Sequence, residues 1–281
     1  PEPWLEANPR LVYARMTGWG QTGPLAHRAG HDLNYISLTG ALAAIGTVES
    51  GPVPPLNLVG DYGGGALYLA FGVLAALFER QRSGRGQVVD AAMVDGAASL
   101  AAMFYGLAAA GQWSEQRGTN LLDGGAPFYD SYETADGRWV SLAALEAKVF
   151  AQLAAALDLE ARFVARQYDR ALWPEMREAI AAAVRTRTRD AWSAQLEGSD
   201  ACFAPVLTMA EASAHRHARE RASFVEIDGV VQPGPAPRFD RTPAAAPRRA
   251  PEIGAHTDEL LAEAGYDGAA IAALRAQGVV R

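Results

Sequence analysis

The sequence predicts an α/β domain followed by a smaller α+β domain. Two compact apolar runs, "RLVYARMTG" and "QVVDAAM", are typical of buried strands. The first run ends in the glycine-rich "TGWGQTGP", which suits the carboxyl edge of a parallel sheet, where ligands tend to bind. Farther along, the alternating and aromatic stretch "FYDSYETADGRWVSLAAL" indicates a β-hairpin that turns at Asp136-Gly137.

Helical patterns separate and follow these strands. The spacing predicts a helix over residues 31–45 and a stronger one over 66–82, which "SGRG" ends and whose apolar positions are Leu67, Phe71, Leu74 and Phe78. "VDGAASLAAMFYGLAAA" is typical of a buried helix of small residues, and "VFAQLAAALDL" and "EMREAIAAAVR" of two further helices. A Pro-rich connector from Gly229 precedes two short C-terminal helices broken at Gly265.

Composition shifts divide the chain into four expected parts. Residues 1–90 form a large domain, 91–124 a linker helix region and 125–225 a small α+β domain. Residues 226–281 form a Pro-rich linker and C-terminal helices that return to the large domain. Since the chain opens without a start methionine or an ordered lead-in, we expect the large domain to be truncated at its N-terminus.

Composition and charge exclude several classes of function. The net charge of -7 gives no basic field for nucleic acid or anionic lipid, so neither is expected as a partner. The basic run from Arg185 to Arg189 is expected to be a solvated helix end rather than a phosphate site. Cys202 is the only cysteine, which excludes an internal disulfide and a Cys/His zinc framework, and we expect it to be buried filler.

Targeting signals are also missing from the sequence pattern. No signal peptide is recognised, and the longest apolar run, "ALYLAFGVLAALF", is expected to be too short to span a bilayer. A reducing, cytoplasmic location is therefore the expectation. Neither a Gly-X-Ser-X-Gly elbow nor an HExxH motif occurs, which argues against serine hydrolase and zinc protease chemistry.

Two titratable residues stand at the mouths of otherwise apolar elements. His31 begins an apolar helix-like run. A half-buried histidine with its hydrogen bonds satisfied is commoner at such a position than a catalytic one. Asp61, in "NLVGDYGGG", is expected to be an N-cap, and Glu146 to be a solvated loop acid. The functional alternative is that free N–H groups of the helix start stabilise an enolate, with the glycines admitting a ligand closely.

Several long motifs occur together and in register. "GHDLNYISLTG", "PPLNLVGDYGGG", "GQVVDAAMVDG" and "NLLDGGAPFYDSYETADGRWVSLAALE" are followed by "IGAHTDELLAEAGYD" near the C-terminus. In this order the motifs resemble the α-methylacyl-CoA racemases of the family III CoA-transferase (CaiB/BaiF) superfamily, over nearly the whole chain. The resemblance implies a Rossmann-like large domain, incomplete here because the family's N-terminal segment is missing, and a small α+β domain.

The resemblance also implies the residues of an active site. The family's catalytic residues fall on His31, Asp61 and Glu146, where the glutamate partners the histidine. The acyl-CoA contact segment falls on Gly30, Asp32, Leu33, Asn34 and Tyr35, and positions near the acyl and pantetheine groups fall on Asn57, Gly60, Leu122 and Tyr129. Two chains are expected to interlink as a homodimer, with each site at the large domain of one chain and the small domain of the other.

The implied reaction is racemisation of 2-methylacyl-CoA thioesters without a metal or redox cofactor. Two bases on opposite sides of a planar enolate remove and return the α-proton. A carboxylate is intrinsically a weaker base than an imidazole. Because burial makes a carboxylate more basic, we expect Asp61 to be buried. The alternatives are a family III CoA-transferase, in which Asp61 is a nucleophile, and a non-catalytic fragment. A histidine at position 31 favours proton transfer over the transferase.

Overall fold

The structure is a computed structural model that describes all 281 residues. The chain divides into two compact units, residues 1–206 and residues 207–281. The first unit contains a parallel layer and an antiparallel layer. The subdivision expected at residues 90, 124 and 225 stays a prediction.

The parallel layer is built on two strands and the helices around them. Strands β1 (Tyr13–Thr17) and β2 (Val88–Ala92) pair in parallel, with Tyr13 opposite Val88 and Thr17 opposite Ala92. Both predicted strands are confirmed. The helices of this layer are α1 (Glu2–Ala7), α2 (Asp32–Ser37), α3 (Ala41–Ala44), a π-helix (Leu58–Ala66), α4 (Leu67–Ser83), α5 (Met93–Leu100) and α6 (Ala102–Ala109).

The single helix predicted over residues 31–45 is wrong, because the chain forms two short helices there. Gly40 separates α2 from α3 with a φ of 73°, a left-handed conformation that glycine adopts without steric cost. The buried helix predicted from "VDGAASLAAMFYGLAAA" also divides, between α5 and α6. Helix α6 contains no buried residue, so the expectation of burial fails there.

The prediction that Asp61 caps a helix is wrong. The π-helix begins at Leu58, and Asp61 lies in its first turn. The glycines that follow lie against protein rather than an open ligand site, since a Cβ on Gly64 would lie 2.5 Å from the backbone nitrogen of Ala97 in α5. Close contact between the two helices therefore requires small residues at this point.

Helix α4 is confirmed, and it ends as predicted at Gly84, whose φ is 76°. It packs on the sheet through small residues, because a Cβ on Gly72 would lie 2.8 Å from Val89 Cγ1. The opposite face carries four apolar side chains that are each about two-thirds exposed, Leu67, Phe71, Leu74 and Phe78. We call these four residues the α4 stripe.

The π-helix and α4 run together as one helical segment, Leu58–Ser83. Its 26 residues and a hydropathy of 1.4 make it long and apolar enough to cross a bilayer, by length and composition only. The expectation of a run too short for this is therefore wrong. Helices of soluble proteins meet the same criterion.

The antiparallel layer contains the predicted hairpin. Strands β3 (Tyr129–Glu133) and β4 (Trp139–Ala143) pair antiparallel around Gly137, and β5 (Phe203–Pro205) pairs with β4. The accompanying helices are α7 (Ala147–Ala156), α8 (Ala161–Ala165), a 3₁₀ turn (Arg170–Leu172), α9 (Trp173–Val184) and α10 (Arg189–Leu196). Helices α7 and α9 confirm the two predicted from the sequence.

One apolar core holds this layer together. Its fully buried side chains include Phe128, Phe150, Phe163, Met176 and Ile180. The ring centroids of Phe128 and Phe150 lie 5.5 Å apart. Aromatic and aliphatic side chains thus fill the space between the three-stranded sheet and its helices.

Two expectations for polar or reactive residues fail in this layer. Cys202 is exposed and has a φ of 49°, so it is not buried filler. Arg189 is only 6% exposed and donates a hydrogen bond of 3.0 Å to the carbonyl of Val206. The basic run therefore ends in a residue that ties two segments together, rather than in a fully solvated helix end.

The second unit, residues 207–281, consists of short elements. These are α11 (Met209–Ala214), α12 (Arg216–Glu220), the antiparallel strands β6 (Phe224–Ile227) and β7 (Val230–Pro233), α13 (Thr257–Glu263) and α14 (Gly268–Ala276). The two C-terminal helices are confirmed, whereas the Pro-rich connector begins only after β7. The dipeptide Asp228-Gly229 is the hairpin signal that the sequence reasoning missed.

Candidate active site

His31 lies where the loop after β1 meets α2. It is the N-cap of α2, with extended backbone angles of -134° and 173°, and Asn34 Oδ1 accepts its N–H at 3.1 Å. The expectation of a half-buried histidine is wrong, because His31 is exposed. The predicted contact residues Leu33 and Asn34 are likewise exposed on α2.

Tyr35 fastens the loop that leads to His31. Its hydroxyl donates to the carbonyl of Gly30, and its ring lies edge-on to Trp19 with centroids 4.7 Å apart. A Cβ on Gly18 would lie 1.9 Å from this ring, so the tyrosine occupies the space of a side chain there. Burial, with a smaller contribution from the negative charge of Asp61, raises the pKa of Tyr35.

Sequence reasoning missed the part that Gly18 and Trp19 play in this arrangement. The stretch "TGWGQTGP" indicated a loop, but nothing in it named the aromatic partner. That partner lies 16 residues away, at Tyr35, so no local pattern reports the contact.

Asp61 is half-buried in the first turn of the π-helix. The side-chain amide of Asn57 donates to Asp61 Oδ2 at 2.9 Å. Asn57, predicted as a residue near the acyl group, thus lies against the predicted catalytic carboxylate. This hydrogen bond to one carboxylate oxygen fixes the orientation of the Asp61 carboxylate.

Asp32 joins the two predicted catalytic segments. Its side chain is 7% exposed, and its Oδ2 accepts the N–H groups of Gly60 at 2.7 Å and Asp61 at 2.8 Å. His31 and Asp61 therefore belong to neighbouring segments. The N–H groups of Gly60 and Asp61 are thus occupied by Asp32, and the expectation that the helix start after Asp61 supplies donors to an enolate stays a prediction.

Other predicted site residues lie apart from this group within the chain. Glu146 is the exposed N-cap of α7, and no ion pair joins it to His31. Tyr129 begins β3 and packs against the apolar core of the antiparallel layer. Hydrogen bonds thus join residues 30–35 to residues 57–61, whereas no hydrogen bond or ion pair joins Glu146 or Tyr129 to them.

Leu122 lines a cavity of about 600 Å³ in the first unit. The wall is mostly apolar and includes Val59, Ala97, Phe104 and Trp113. Ligand pockets commonly have this size and this apolar character. Since Val59 precedes Asp61 by two residues, the cavity borders the segment that carries the predicted catalytic carboxylate.

Fold and site together define an α/β protein in which a histidine and an aspartate occupy neighbouring segments next to a parallel sheet. The chain belongs to CoA-transferase family III, which it matches over residues 1–257.

Two relatives with curated names match the entire chain. It is 45% identical to the α-methylacyl-CoA racemase of Mus musculus over 283 residues, which cover 100% of this chain and 74% of that protein. It is 41% identical to the human α-methylacyl-CoA racemase over 282 residues, with the same coverage. A more distant relative is the succinyl-CoA–L-malate CoA-transferase beta subunit of Chloroflexus aurantiacus, 30% identical over 91% of this chain and 66% of that subunit.

Solved structures of the family share the fold. A CaiB/BaiF family protein from Brucella suis superposes with a TM-score of 0.74 at 25% identity, over 94% of this chain and 70% of that one. The Rv3272 protein of Mycobacterium tuberculosis gives a TM-score of 0.73 at 25% identity, over 91% of this chain and 70% of that one. These similarities confirm the predicted family III CoA-transferase fold.

Proposed function

We propose that the protein is an isomerase that interconverts (R)- and (S)-2-methylacyl-CoA thioesters. The observation that carries the proposal is the meeting of the His31 and Asp61 segments at the carboxylate of Asp32. The names of the relatives at 45% and 41% identity support the same reaction. A histidine at position 31 supplies a base suited to neutral pH beside the family's aspartate.

The reaction is a 1,1-proton transfer through an enolate. One base takes the proton from the α-carbon, and the electron pair of the broken C–H bond enters the enolate. The other base, which starts protonated, gives its proton to the opposite face of the same carbon. His31 and Asp61 take these two parts, and they exchange them when the opposite enantiomer reacts. The reaction needs no resident metal or redox cofactor.

Glu146 belongs in this scheme as the partner of His31. Since the chain itself does not place Glu146 beside the imidazole, we propose that a second copy supplies it in an interlinked homodimer. Coexpression of a His31→Ala chain with a Glu146→Ala chain tests this arrangement. Mixed dimers would hold one intact site and regain racemisation, while each variant alone stays deficient. Failure of the mixed dimers to regain activity would contradict the shared site.

The acyl tail has a natural place in the cavity beside Val59 and Leu122. Its apolar wall suits a hydrocarbon chain, and its volume leaves room for a long or branched one. Filling the cavity with a Leu122→Trp substitution should lower kcat/KM for long 2-methylacyl chains and spare short ones. An equal effect on all chain lengths would place the tail elsewhere.

The nearest alternative is a CoA-transferase in which Asp61 acts as a nucleophile. Incubation of the protein with a 2-methylacyl-CoA in heavy water separates the two activities. The racemase exchanges the α-hydrogen for deuterium and equilibrates the enantiomers. Exchange of the acyl group between CoA and a free acid, without deuterium at the α-carbon, would establish the transferase and overturn the proposal. A non-catalytic chain would do neither.

We further propose a cytoplasmic setting and a role in fatty acid and lipid metabolism. The single cysteine suits a reducing compartment. The net charge of -7 argues against anionic membranes and nucleic acids as partners. Fractionation of cells that express the tagged protein tests the location, and recovery with membranes would contradict it.

A further inference from the structure

Asp32 is a buried carboxylate whose described partners are both backbone N–H groups. Burial of a charged group is costly unless the group is hydrogen-bonded. The two hydrogen bonds of 2.7 and 2.8 Å to Asp32 Oδ2 offset this cost. The donors lie in the first turn of the π-helix, where N–H groups lack partners within the helix and where a negative charge is stabilised.

The close approach depends on Gly60. A Cβ at this position would lie 2.4 Å from Asp32 Oδ2, so any larger residue would displace the carboxylate or the backbone. Gly60 is itself buried. The contact therefore requires a carboxylate in one segment and a residue without a side chain in the other.

This contact joins the two segments that carry the predicted catalytic residues. Asp32 directly follows His31, and one of its two donors is the N–H of Asp61 itself. These are the only hydrogen bonds that join α2 to the π-helix. Movement at this point would therefore change the separation of the imidazole and the carboxylate.

We propose that Asp32 is a positioning residue that fixes His31 and Asp61 on the two sides of the reacting carbon, and not a contact for CoA. The inference rests on the proposed racemase function. Because two reacting groups must lie in a narrow range of geometry, a displacement of about 1 Å can cost about 100-fold in rate.

Asp32→Ala and Asp32→Asn in the full chain test this role. The alanine variant should lose about 100-fold in kcat for racemisation of 2-methylacyl-CoA. Its KM should stay near the wild-type value, because the carboxylate of Asp32 is buried and already accepts two backbone N–H groups. The asparagine variant should recover part of the loss, since its amide oxygen still accepts from the two N–H groups without the charge.

Asp90→Asn is the matched control. Asp90 also accepts a backbone N–H across segments, that of Gln21 at 3.1 Å, but it lies outside the site. This variant should keep the wild-type kcat. A raised KM with unchanged kcat in Asp32→Ala would make Asp32 a CoA contact and overturn the inference. An unchanged kcat with a lowered Tm would make it merely structural, with the same consequence.

Gly60→Ala gives a second approach if Asp32→Ala fails to fold. The added methyl group should disturb the same contact, so the Asp32→Asn/Gly60→Ala double variant should be no slower than the slower single variant. Additive losses in kcat would show that the two residues act separately and would contradict the proposal.

Hydrogen exchange of the peptide covering residues 58–66 separates this inference from the proposed function. If wild type shows no α-proton exchange, the racemase proposal fails. The contact itself is then measured by amide protection at Gly60 and Asp61, which should fall in Asp32→Asn and not in Asp90→Asn. Unchanged protection would overturn the positioning role whatever the reaction proves to be.

Discussion

The two layers of the first unit are packed in opposite ways. In the antiparallel layer, large side chains such as Phe128 and Phe150 are fully buried. In the parallel layer, glycines bring backbones together, and a Cβ on Gly96 would lie only 1.8 Å from the carbonyl oxygen of Gly64. Removing bulk should therefore weaken the antiparallel layer, while adding bulk should weaken the parallel layer.

The predicted catalytic residues His31 and Asp61 belong to the glycine-packed layer. Close contacts hold their segments: Gly64 lies against the backbone of α5, and the short, buried side chain of Asp32 accepts the N–H groups of Gly60 and Asp61. Such contacts tolerate little displacement because the groups that make them are short and confined. Precision at the site thus comes from close backbone approach rather than from a large apolar core.

The largest effect is expected from Phe150→Ala in the antiparallel core. Phe150 is fully buried, so its truncation should lower the free energy of unfolding by about 3–5 kcal/mol. Phe78→Ala on the α4 stripe is the control, because Phe78 is 67% exposed, and its effect should be much smaller. Urea unfolding measures the stability of both variants. Equal losses in the free energy of unfolding would contradict the assignment of the core to Phe150 and its neighbours.

In the parallel layer, the addition of bulk by Gly96→Ala should lower the free energy of unfolding. The added methyl group meets the carbonyl of Gly64, and overpacking of this kind costs about 1–3 kcal/mol. Gly106→Ala in α6 is the matched control, since nothing lies within 4 Å of a Cβ there. That change should stabilise the protein by about 0.5–1 kcal/mol through helix propensity. Destabilisation by both substitutions would contradict close packing as the cause.

A pH-dependent loss of stability should come from the antiparallel layer. Burial raises the pKa of Tyr132, partly opposed by the positive charge of Arg177, and its hydroxyl donates to the carbonyl of Pro127 at 2.5 Å. The unfolded chain loses this proton near pH 10, while the folded chain keeps it. Stability contributed by Tyr132 is therefore present below about pH 10 and falls as the pH rises above it.

Tyr132→Phe tests this prediction. The variant should lose about 1 kcal/mol at neutral pH with the hydrogen bond, and its stability should decline less steeply above about pH 10. Urea midpoints across this range measure the slope. Identical slopes in wild type and variant would assign the decline to other groups.

The smallest effect on stability is expected on the α4 stripe. Phe71→Ser should change the free energy of unfolding by less than about 0.5 kcal/mol, because Phe71 is 71% exposed. It should instead raise solubility by interrupting an exposed apolar row. Light scattering at rising protein concentration measures the solubility, and urea unfolding measures the stability. A large loss of stability would show that the stripe is buried in solution.

Local patterns were enough to predict the strands and the hairpin. Compact apolar runs predicted β1 and β2, and Asp136-Gly137 predicted the turn between β3 and β4. These elements depend on residues that are close in the sequence. The same is true of α4 and of its end at Gly84.

Contacts between distant segments were not predictable in this way. Asp32 and Gly60 are separated by 28 positions, and neither residue carries a pattern that names the other. The helix was predicted only from residue 66, yet helical structure packed against α5 already includes the three glycines after Asp61. The identities of His31 and Asp61 as candidate catalytic residues came from the family resemblance, which local propensity does not supply.

Exchange of the α-hydrogen in each enantiomer tests the two-base account most directly. (R)- and (S)-2-methylacyl-CoA are incubated separately in heavy water with wild type, His31→Ala and Asp61→Ala, and α-deuterium and enantiomer composition are followed. Both variants should lose racemisation, and any exchange that remains should be confined to one enantiomer in His31→Ala and to the other in Asp61→Ala. Racemisation by either variant, or retained exchange of the same enantiomer in both, would contradict a base on each side of the carbon.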